Sequence, residues 1–260
     1  MGRVTLRILP WLLASGVLLC ADTPGELVTD RPDFTESSQV IPRGWVQIES
    51  GLALESSDAQ NRHTIAFGTP LLRVGLIRKL ELRIGADGAM YQRLDQERSS
   101  GFSDVDFGVK YKFMQEGRWR PAMSVIAAVS TPIGHPNFSS GAYEPGIKLT
   151  WEKDVAAGFS ASGNLNWNAL SVDGGRLHQR VASLSIGHGL GRGFSGFWEA
   201  YGFTAEERGG GNAYMFASGL IRAVGKNAQW DVNVHRRVAA QGPDWIVSVG
   251  FVARMPWSLP

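Results

Sequence analysis

Apolar and charged side chains alternate with a period of two along the segment from Leu80 to Met90. Even positions carry apolar or small residues, whereas Glu81, Arg83 and Asp87 occupy odd positions. Because a strand sends successive side chains to opposite faces, one face of this segment is apolar and the other is charged. The same pattern recurs along the chain, and it predicts an antiparallel sheet whose two faces meet different environments.

Twelve segments follow this pattern, and each is about as long as a tilted strand that crosses a bilayer. An even number is typical of bacterial barrels. The sequence therefore predicts an all-β fold, a single transmembrane antiparallel up-and-down β-barrel. The predicted strands cover residues 45–55, 63–76, 80–91, 102–113, 119–130, 142–152, 158–168, 179–188, 194–203, 213–222, 228–236 and 245–255.

The connections between these strands alternate in length, as external loops and periplasmic turns do in bacterial barrels. Several tryptophans also fall near predicted strand ends, Trp45 among them, where an indole suits the headgroup region. Both observations favour a membrane barrel over a water-soluble sandwich. The longer connections are residues 56–62, 92–101, 131–141, 169–178, 204–212 and 237–244.

The first residues resemble an export signal. Arg3 and Arg7 precede an apolar run at residues 9–19, and Leu19-Cys20-Ala21 offers a cleavage site. The run is short of the roughly 20 residues that a membrane-spanning helix needs. We therefore expect a signal peptide at residues 1–21, a periplasmic leader or plug at 22–44 and the barrel at 45–260; lipidation of Cys20 is the alternative.

Composition narrows the chemistry that the chain can perform. Cys20 is the sole cysteine, so removal of the signal leaves no thiolate and no cysteine-rich zinc site. Without Arg3 and Arg7 the 26 basic residues become 24, equal to the 24 acids, which gives no indication of nucleic-acid binding. The five histidines lie on separate segments without a matched nucleophile. We expect neither an enzyme nor a bound cofactor or metal.

The charged faces of the strands must line the lumen, because a lipid-facing Arg or Lys costs about 2 to 4 kcal/mol at the bilayer midplane. Both signs occur there, so two interpretations stay open. The charges pair and close the barrel, or they form a constriction that selects small polar or amphipathic solutes. The candidate lumen and gating residues are Glu49, Glu81, Arg83, Asp87, Asp104, Asp106, Lys110, Glu144, Lys148, Asn164, Glu199 and Asp231.

Four segments carry a family resemblance: residues 29–38 (TDRPDFTESS), 44–51 (GWVQIESG), 103–112 (SDVDFGVKYK) and 130–134 (STPIG). They resemble the outer-membrane transporter family named for the meta-pathway of phenol degradation. The resemblance implies a barrel in the Gram-negative outer membrane that takes up aromatic or other hydrophobic compounds. It brings no established binding or catalytic residues.

The leader contains prolines that keep it from joining the sheet. It is interpreted either as a strap across the periplasmic base or, as a hypothesis, as a plug inside the lumen. The plug candidates are Asp30, Arg31 and Asp33, with Arg31 expected to meet acids such as Glu49 or Glu199.

The sequence thus favours a channel for passive uptake of small solutes, aromatic or hydrophobic ones among them. The alternative is a non-conducting structural or adhesion barrel. The expected partners are outer-membrane lipid, a small-molecule solute and the barrel-assembly machinery, with no nucleic acid.

Overall fold

The computed structural model describes residues 21–156 and 158–257. Within them, fourteen strand segments and one short 3-10 turn, Asp58–Gln60, form the regular structure. The strand segments are β1 (Trp45–Ser57), β2 (Arg62–Ile77), β3 (Leu80–Ala86), β4 (Gly88–Leu94), β5 (Glu97–Phe102), β6 (Val105–Met114), β7 (Ala122–Thr131), β8 (Glu144–Ala156), β9 (Phe159–Val172), β10 (Gly175–Gly191), β11 (Phe194–Phe203), β12 (Ala213–Val224), β13 (Ala228–Ala240) and β14 (Trp245–Pro256).

The sheet closes on itself, because β1 pairs antiparallel with both β2 and β14. β3 and β4 are two parts of one barrel strand, since both pair with β2 on either side of Asp87. β5 and β6 form another such strand around residues 103–104, where β5 pairs with β4 and β6 with β3. The fourteen segments therefore make twelve barrel strands, which confirms the predicted fold.

Two of the predicted long loops are wrong. At residues 92–101 and 169–178 the strands continue outward and join through two-residue turns, at 95–96 and 173–174. Asp95 and Asp173 adopt positive φ angles of 52° and 50°, as tight hairpin turns require. These hairpins are polar because they extend beyond the apolar zone of the barrel, and a polar segment is predicted as a loop.

The longest connections are residues 132–143 and 204–212, and both lie at the rim opposite the chain ends. This rim is the external one, since barrels carry their long loops outside. The opposite, periplasmic rim carries residues 115–121 and shorter turns. The described residues include no helix long and apolar enough to cross a bilayer.

The barrel is apolar outside and polar inside. Phe67, Leu165 and Trp198 are more than half exposed on the outer face, whereas Glu49 and Arg73 are fully buried. This distribution is the reverse of a water-soluble domain and is typical of a membrane barrel. Trp45 departs from its predicted interfacial place: its side chain is buried, and its indole N–H donates to the Asp22 carbonyl at 2.8 Å.

The leader lies in the lumen, enclosed by the barrel wall, and does not join the sheet. Asp30, Thr35, Ser38 and Ile41 are all buried. At Gly75 of β2 a Cβ atom would lie 2.0 Å from the Pro42 carbonyl oxygen, so the wall needs a glycine where the leader passes. The predicted signal peptide, apart from Ala21, falls outside the described residues, as does Cys20.

Candidate functional site

Carboxylates of the barrel wall accept hydrogen bonds from the backbone of the leader. The N–H groups of Phe34 and Thr35 donate to the two carboxylate oxygens of Glu199 at 2.8 and 2.6 Å. Glu49 accepts from the Arg31 N–H at 3.0 Å. Because the leader has no neighbouring strand, these carboxylates satisfy donors that a sheet would otherwise satisfy.

The same arrangement continues toward the first strand. The Ser38 N–H donates to Glu152 at 3.0 Å, and the Ile41 N–H donates to Glu81 at 2.7 Å. We call residues 29–41, which make these contacts, the lumenal leader. Four glutamates on different parts of the wall therefore hold its backbone.

Asp30 is the centre of a buried charge cluster. Its carboxylate lies 2.6 Å from Arg83 Nη1, 2.9 Å from Lys110 Nζ and 3.4 Å from Arg73 Nη1. All four side chains are at least nine-tenths buried. Three wall cations thus converge on one leader carboxylate, and a buried charge of this kind is tolerated only when it is paired.

Wall acids and a second leader acid complete the cluster. Arg73 also binds Glu49 at 3.1 Å and Glu81 at 2.9 Å. Glu36 pairs with Arg83 at 3.0 Å and with Lys148. Burial opposes ionisation of Glu36, but these two cations outweigh it and hold the pKa of its carboxyl at about 2.

The lumenal leader is needed to balance this charge. The wall alone contributes four cations (Arg73, Arg83, Lys110 and Lys148) but only two acids (Glu49 and Glu81) to the cluster. The leader supplies Asp30 and Glu36, which equalise the signs. Without the leader, this cluster would therefore contain two more cations than acids.

Arg31 makes its ion pair at a position that the sequence hypothesis did not foresee. Its guanidinium lies 3.2 Å from Asp231, and it meets Glu49 through its backbone N–H alone. The guanidinium lies over Gly51 and Gly250, which are paired across β1 and β14. A Cβ atom at Gly250 would lie 2.3 Å from the Arg31 Nε, so two glycines form the slot that admits this side chain.

An aromatic contact fixes the middle of the lumenal leader. The ring of Phe34 stacks on Tyr201 of β11. The Tyr201 hydroxyl lies 2.9 Å from His235 Nδ1, and His235 Nε2 lies 3.1 Å from Asn233 Oδ1. The Asn233 amide in turn donates to the Pro32 carbonyl at 2.5 Å. This chain of contacts starts and ends on the leader, so it holds the segment around Phe34 from two sides.

Two cavities of mixed polar and apolar lining lie on opposite sides of the lumenal leader. The external one, of about 540 Å³, is lined by Glu36. The inner one, of about 550 Å³, is lined by the neighbouring residues Thr35 and Ser37. Consecutive leader residues therefore face different cavities, and the leader forms the partition between them.

Asp33 faces the inner cavity. Its burial within the barrel and the nearby Glu199 carboxylate raise the pKa of Asp33 well above the ordinary value for aspartate. The charged form of this side chain is consequently disfavoured while the leader stays in place.

The structure places the remaining sequence candidates at several depths. Asp87, Asp106, Glu144 and Lys148 line the external cavity. Asn164 lies against the Glu36 backbone, 2.9 Å from its nitrogen in the amide orientation that satisfies both groups.

Asp104 was predicted to line the lumen, but its side chain binds an external loop instead. Its carboxylate accepts hydrogen bonds from the backbone N–H groups of Gly134 and Ser140, both at 2.9 Å, and so shapes the external loop at residues 132–143. Asp104 lies in the break between β5 and β6, where strand alternation does not determine the direction of a side chain.

Arg73, the most highly connected cation of the cluster, was not among the predicted site residues. The β1–β2 register pairs Glu49 with Leu71 but Gly51 with Gly68, so β2 gains one residue between these pairs. The bulge exchanges the inward and outward positions along β2. The run Gly68-Thr69-Pro70 within the predicted strand was the signal available in the sequence.

Comparisons with known proteins agree with this architecture. The family described as "Putative MetA-pathway of phenol degradation" matches residues 29–255. An outer-membrane channel of Pseudomonas putida F1 is similar with a TM-score of 0.64 at 13% identity, over 84% of this chain and 98% of that chain.

Two porins are also similar in fold. The NanC porin has a TM-score of 0.52 at 10% identity, over 81% of this chain and 100% of that chain. The KdgM porin has a TM-score of 0.51 at 10% identity, over 80% of this chain and 98% of that chain. A search of curated proteins gave no match. The fold is that of solved outer-membrane channels and porins.

Proposed function

We propose that this chain, which belongs to the family described as "Putative MetA-pathway of phenol degradation", is an outer-membrane channel for small solutes. The channel is proposed to be closed by its own lumenal leader. The observation that carries the proposal is the partition of the lumen. Glu36 lines the external cavity while Thr35 and Ser37 line the inner one. Displacement of these few residues would join the two cavities into one passage.

The contacts that hold the lumenal leader are of a kind that water can replace. They are mainly hydrogen bonds and ion pairs, such as Arg31 with Asp231 and Asp30 with Lys110. Such contacts exchange protein partners for water partners at a small net free energy each. Opening would therefore need no chemical energy, and solutes would move down their gradient.

The lumen favours small polar or amphipathic solutes. Arg73, Arg83 and Lys110 lie on β2, β3 and β6, whereas Glu199 and Asp231 lie on β11 and β13 across the barrel. Opposite charges on facing walls orient a solute with its own dipole. The family description adds aromatic compounds to this class, and the similar KdgM porin was solved in complex with disordered oligogalacturonate.

The setting of the proposal is the Gram-negative outer membrane, with lipid around the barrel and insertion by the barrel-assembly machinery. No reaction is assigned to the chain, since the lumen is proposed to pass solutes unchanged. Solved channels and porins of the same fold support this setting.

A reversible cross-link tests whether the lumenal leader closes the barrel. Thr35 Oγ1 lies 2.7 Å from Ser183 Oγ of β10, so cysteines at these two positions come within reach of a disulfide. The variant Thr35→Cys/Ser183→Cys, produced from residue 22 onward so that Cys20 is absent, would be reconstituted in planar bilayers. We expect oxidation to abolish conductance and reduction to restore intermittent openings.

Three control variants are needed to interpret these results. The conductance of either single-cysteine variant should not change on oxidation. A chain that lacks residues 22–38 should conduct continuously if it folds, which heat-modified gel mobility verifies. Equal conductance of the oxidised and reduced forms contradicts a moving leader. A folded but silent deletion variant instead supports the non-conducting barrel, for which the complete pairing of the charge cluster is the supporting observation.

A further inference from the structure

Three basic side chains form a row on the outer face of the barrel, near its external rim. His63 of β2 lies opposite Arg93 of β4, and Arg93 lies opposite Arg98 of β5. The neighbouring residues Thr64 and Gln92 point the other way, since Gln92 donates to Thr64 at 3.3 Å within the lumen. The row therefore faces away from the lumen, toward the surroundings of the barrel.

The two arginines have no counter-ion among the residues that the structure describes. Arg93 and Arg98 are both exposed, and neither has an ion pair or a side-chain hydrogen bond within residues 21–156 and 158–257. Of the nearby acids, Asp95 accepts from Asn61 and Glu55 pairs with Arg62. Glu97 precedes Arg98 in β5, so strand alternation directs its side chain to the opposite face. Like charges placed directly opposite each other destabilise a strand pair. An anion bound between Arg93 and Arg98 would therefore reduce the repulsion between their side chains.

Apolar side chains continue the same outer face toward the middle of the membrane. Phe67 lies opposite Ala89, which lies opposite Phe102, four residues below the basic row. Phe67 and Phe102 are 68% and 69% exposed. At about 3.4 Å per residue, these rings lie roughly 14 Å from the basic row along the strands, which corresponds to a depth of about 10 Å in a barrel with tilted strands.

Polar hydroxyls lie between the charged and the apolar rows. Tyr91 is paired with Ser100 two residues below the arginines, and both are exposed on the same face. Charge, hydroxyl groups and hydrocarbon therefore follow one another from the rim toward the bilayer centre. This order is the order of phosphate, sugar and acyl chain in a phosphorylated glycolipid.

We propose that this surface, His63, Arg93, Arg98, Tyr91, Phe67 and Phe102, is a binding site for the phosphorylated glycolipid of the outer leaflet. Arg93 and Arg98 bind one phosphate between them, because planar guanidinium groups match phosphate oxygens in pairs. Tyr91 faces the sugar, and the two phenylalanines contact the acyl chains. The site is independent of conduction through the lumen.

Native mass spectrometry of the full barrel in detergent tests the assignment. The probes are diphosphorylated lipid A, the same lipid without phosphates, and phosphatidylglycerol. Loss of one charge-assisted hydrogen bond corresponds to about a tenfold weaker affinity. We expect Arg93→Gln/Arg98→Gln to bind diphosphorylated lipid A at least tenfold more weakly, with partial recovery in Arg93→Lys/Arg98→Lys.

A matched control uses two exposed arginines of the periplasmic connection at residues 115–121. Arg118→Gln/Arg120→Gln removes the same charge and should bind lipid A as the unmodified chain does. Equal binding by the Arg93/Arg98 variant, or equal binding of the lipid without phosphates, overturns the site. Equal binding of phosphatidylglycerol overturns the glycolipid assignment. Heat-modified gel mobility verifies that each variant is folded.

Discussion

The phenyl ring of Phe34 lies on the phenol ring of Tyr201, with ring centroids 4.2 Å apart and planes inclined by 5°. One ring belongs to the lumenal leader and the other to the barrel wall. Phe197, Met215 and Ile246 pack around this pair and form an apolar cluster inside an otherwise polar lumen. The stacked pair therefore anchors the leader where hydrogen bonds to water cannot substitute for the contact.

Phe34→Ala should loosen the lumenal leader. Loss of a stacked, partly buried ring weakens docking by about 2 kcal/mol, which raises the undocked fraction roughly 30-fold. The measurement is the open probability of single barrels in planar bilayers. Tyr201→Phe is the control, since it keeps the ring and removes only the contact with His235. An unchanged open probability in Phe34→Ala would remove Phe34 from the closing mechanism.

Asp30→Asn should lower the thermal stability of the barrel. The substitution leaves Arg73, Arg83 and Lys110 without their shared carboxylate, and breaking a buried pair costs about 3 to 5 kcal/mol. The midpoint of heat-induced unfolding on gels reports the change. Glu26→Gln, at an exposed leader position, should leave the midpoint where it is. A second substitution, Lys110→Met, should recover part of the loss; equal midpoints for Asp30→Asn and Glu26→Gln would contradict the prediction.

Gly250→Ala should release the first part of the lumenal leader. The added methyl would lie 2.3 Å from the Arg31 Nε, so the guanidinium must leave Asp231. We expect limited proteolysis from the periplasmic side to cut the leader faster in this variant. Gly189→Ala is the matched control, because a Cβ atom there meets no other atom within 4 Å. Equal cutting rates in the two variants would show that the glycine slot does not hold Arg31.

The strands were predictable because the alternation of apolar and polar residues is visible within each strand by itself. Alternation across the lipid boundary is a local property, so residues such as Glu81 and Lys110 could be assigned to the lumen from their strands alone. Arg73 could not, because its direction depends on a bulge near Gly68, where the φ angle is 93°. A single extra residue exchanges the two faces of everything that follows in that strand.

The contacts of the leader were beyond sequence reasoning for a different reason. Arg31 and Asp231 are separated by 200 residues, and their meeting depends on the closure of the barrel. Several acids of the wall carry the same charge and could each have received Arg31. Gly51 and Gly250 leave space for the Arg31 side chain beside Asp231. Because this space depends on the register of two strands, it could not be predicted from either strand alone.

Opening of the barrel should increase as the pH rises. Burial and the Glu199 carboxylate raise the pKa of Asp33 in the docked leader, so the docked state binds this proton more tightly than the undocked state. The contribution of Asp33 to docking is therefore greatest below the ordinary carboxyl pKa of about 3.9, and it is lost as the pH rises through the raised value. Glu36, with a pKa of about 2, loses its contribution only below its ordinary value of 4.5. Measurements from about pH 5 upward thus exclude Glu36 as the cause of the change. Asp33→Asn, which resembles the protonated form, should keep a low open probability throughout the range above about pH 5. A variant whose open probability rises with pH like that of the unmodified chain would exclude Asp33 as the cause.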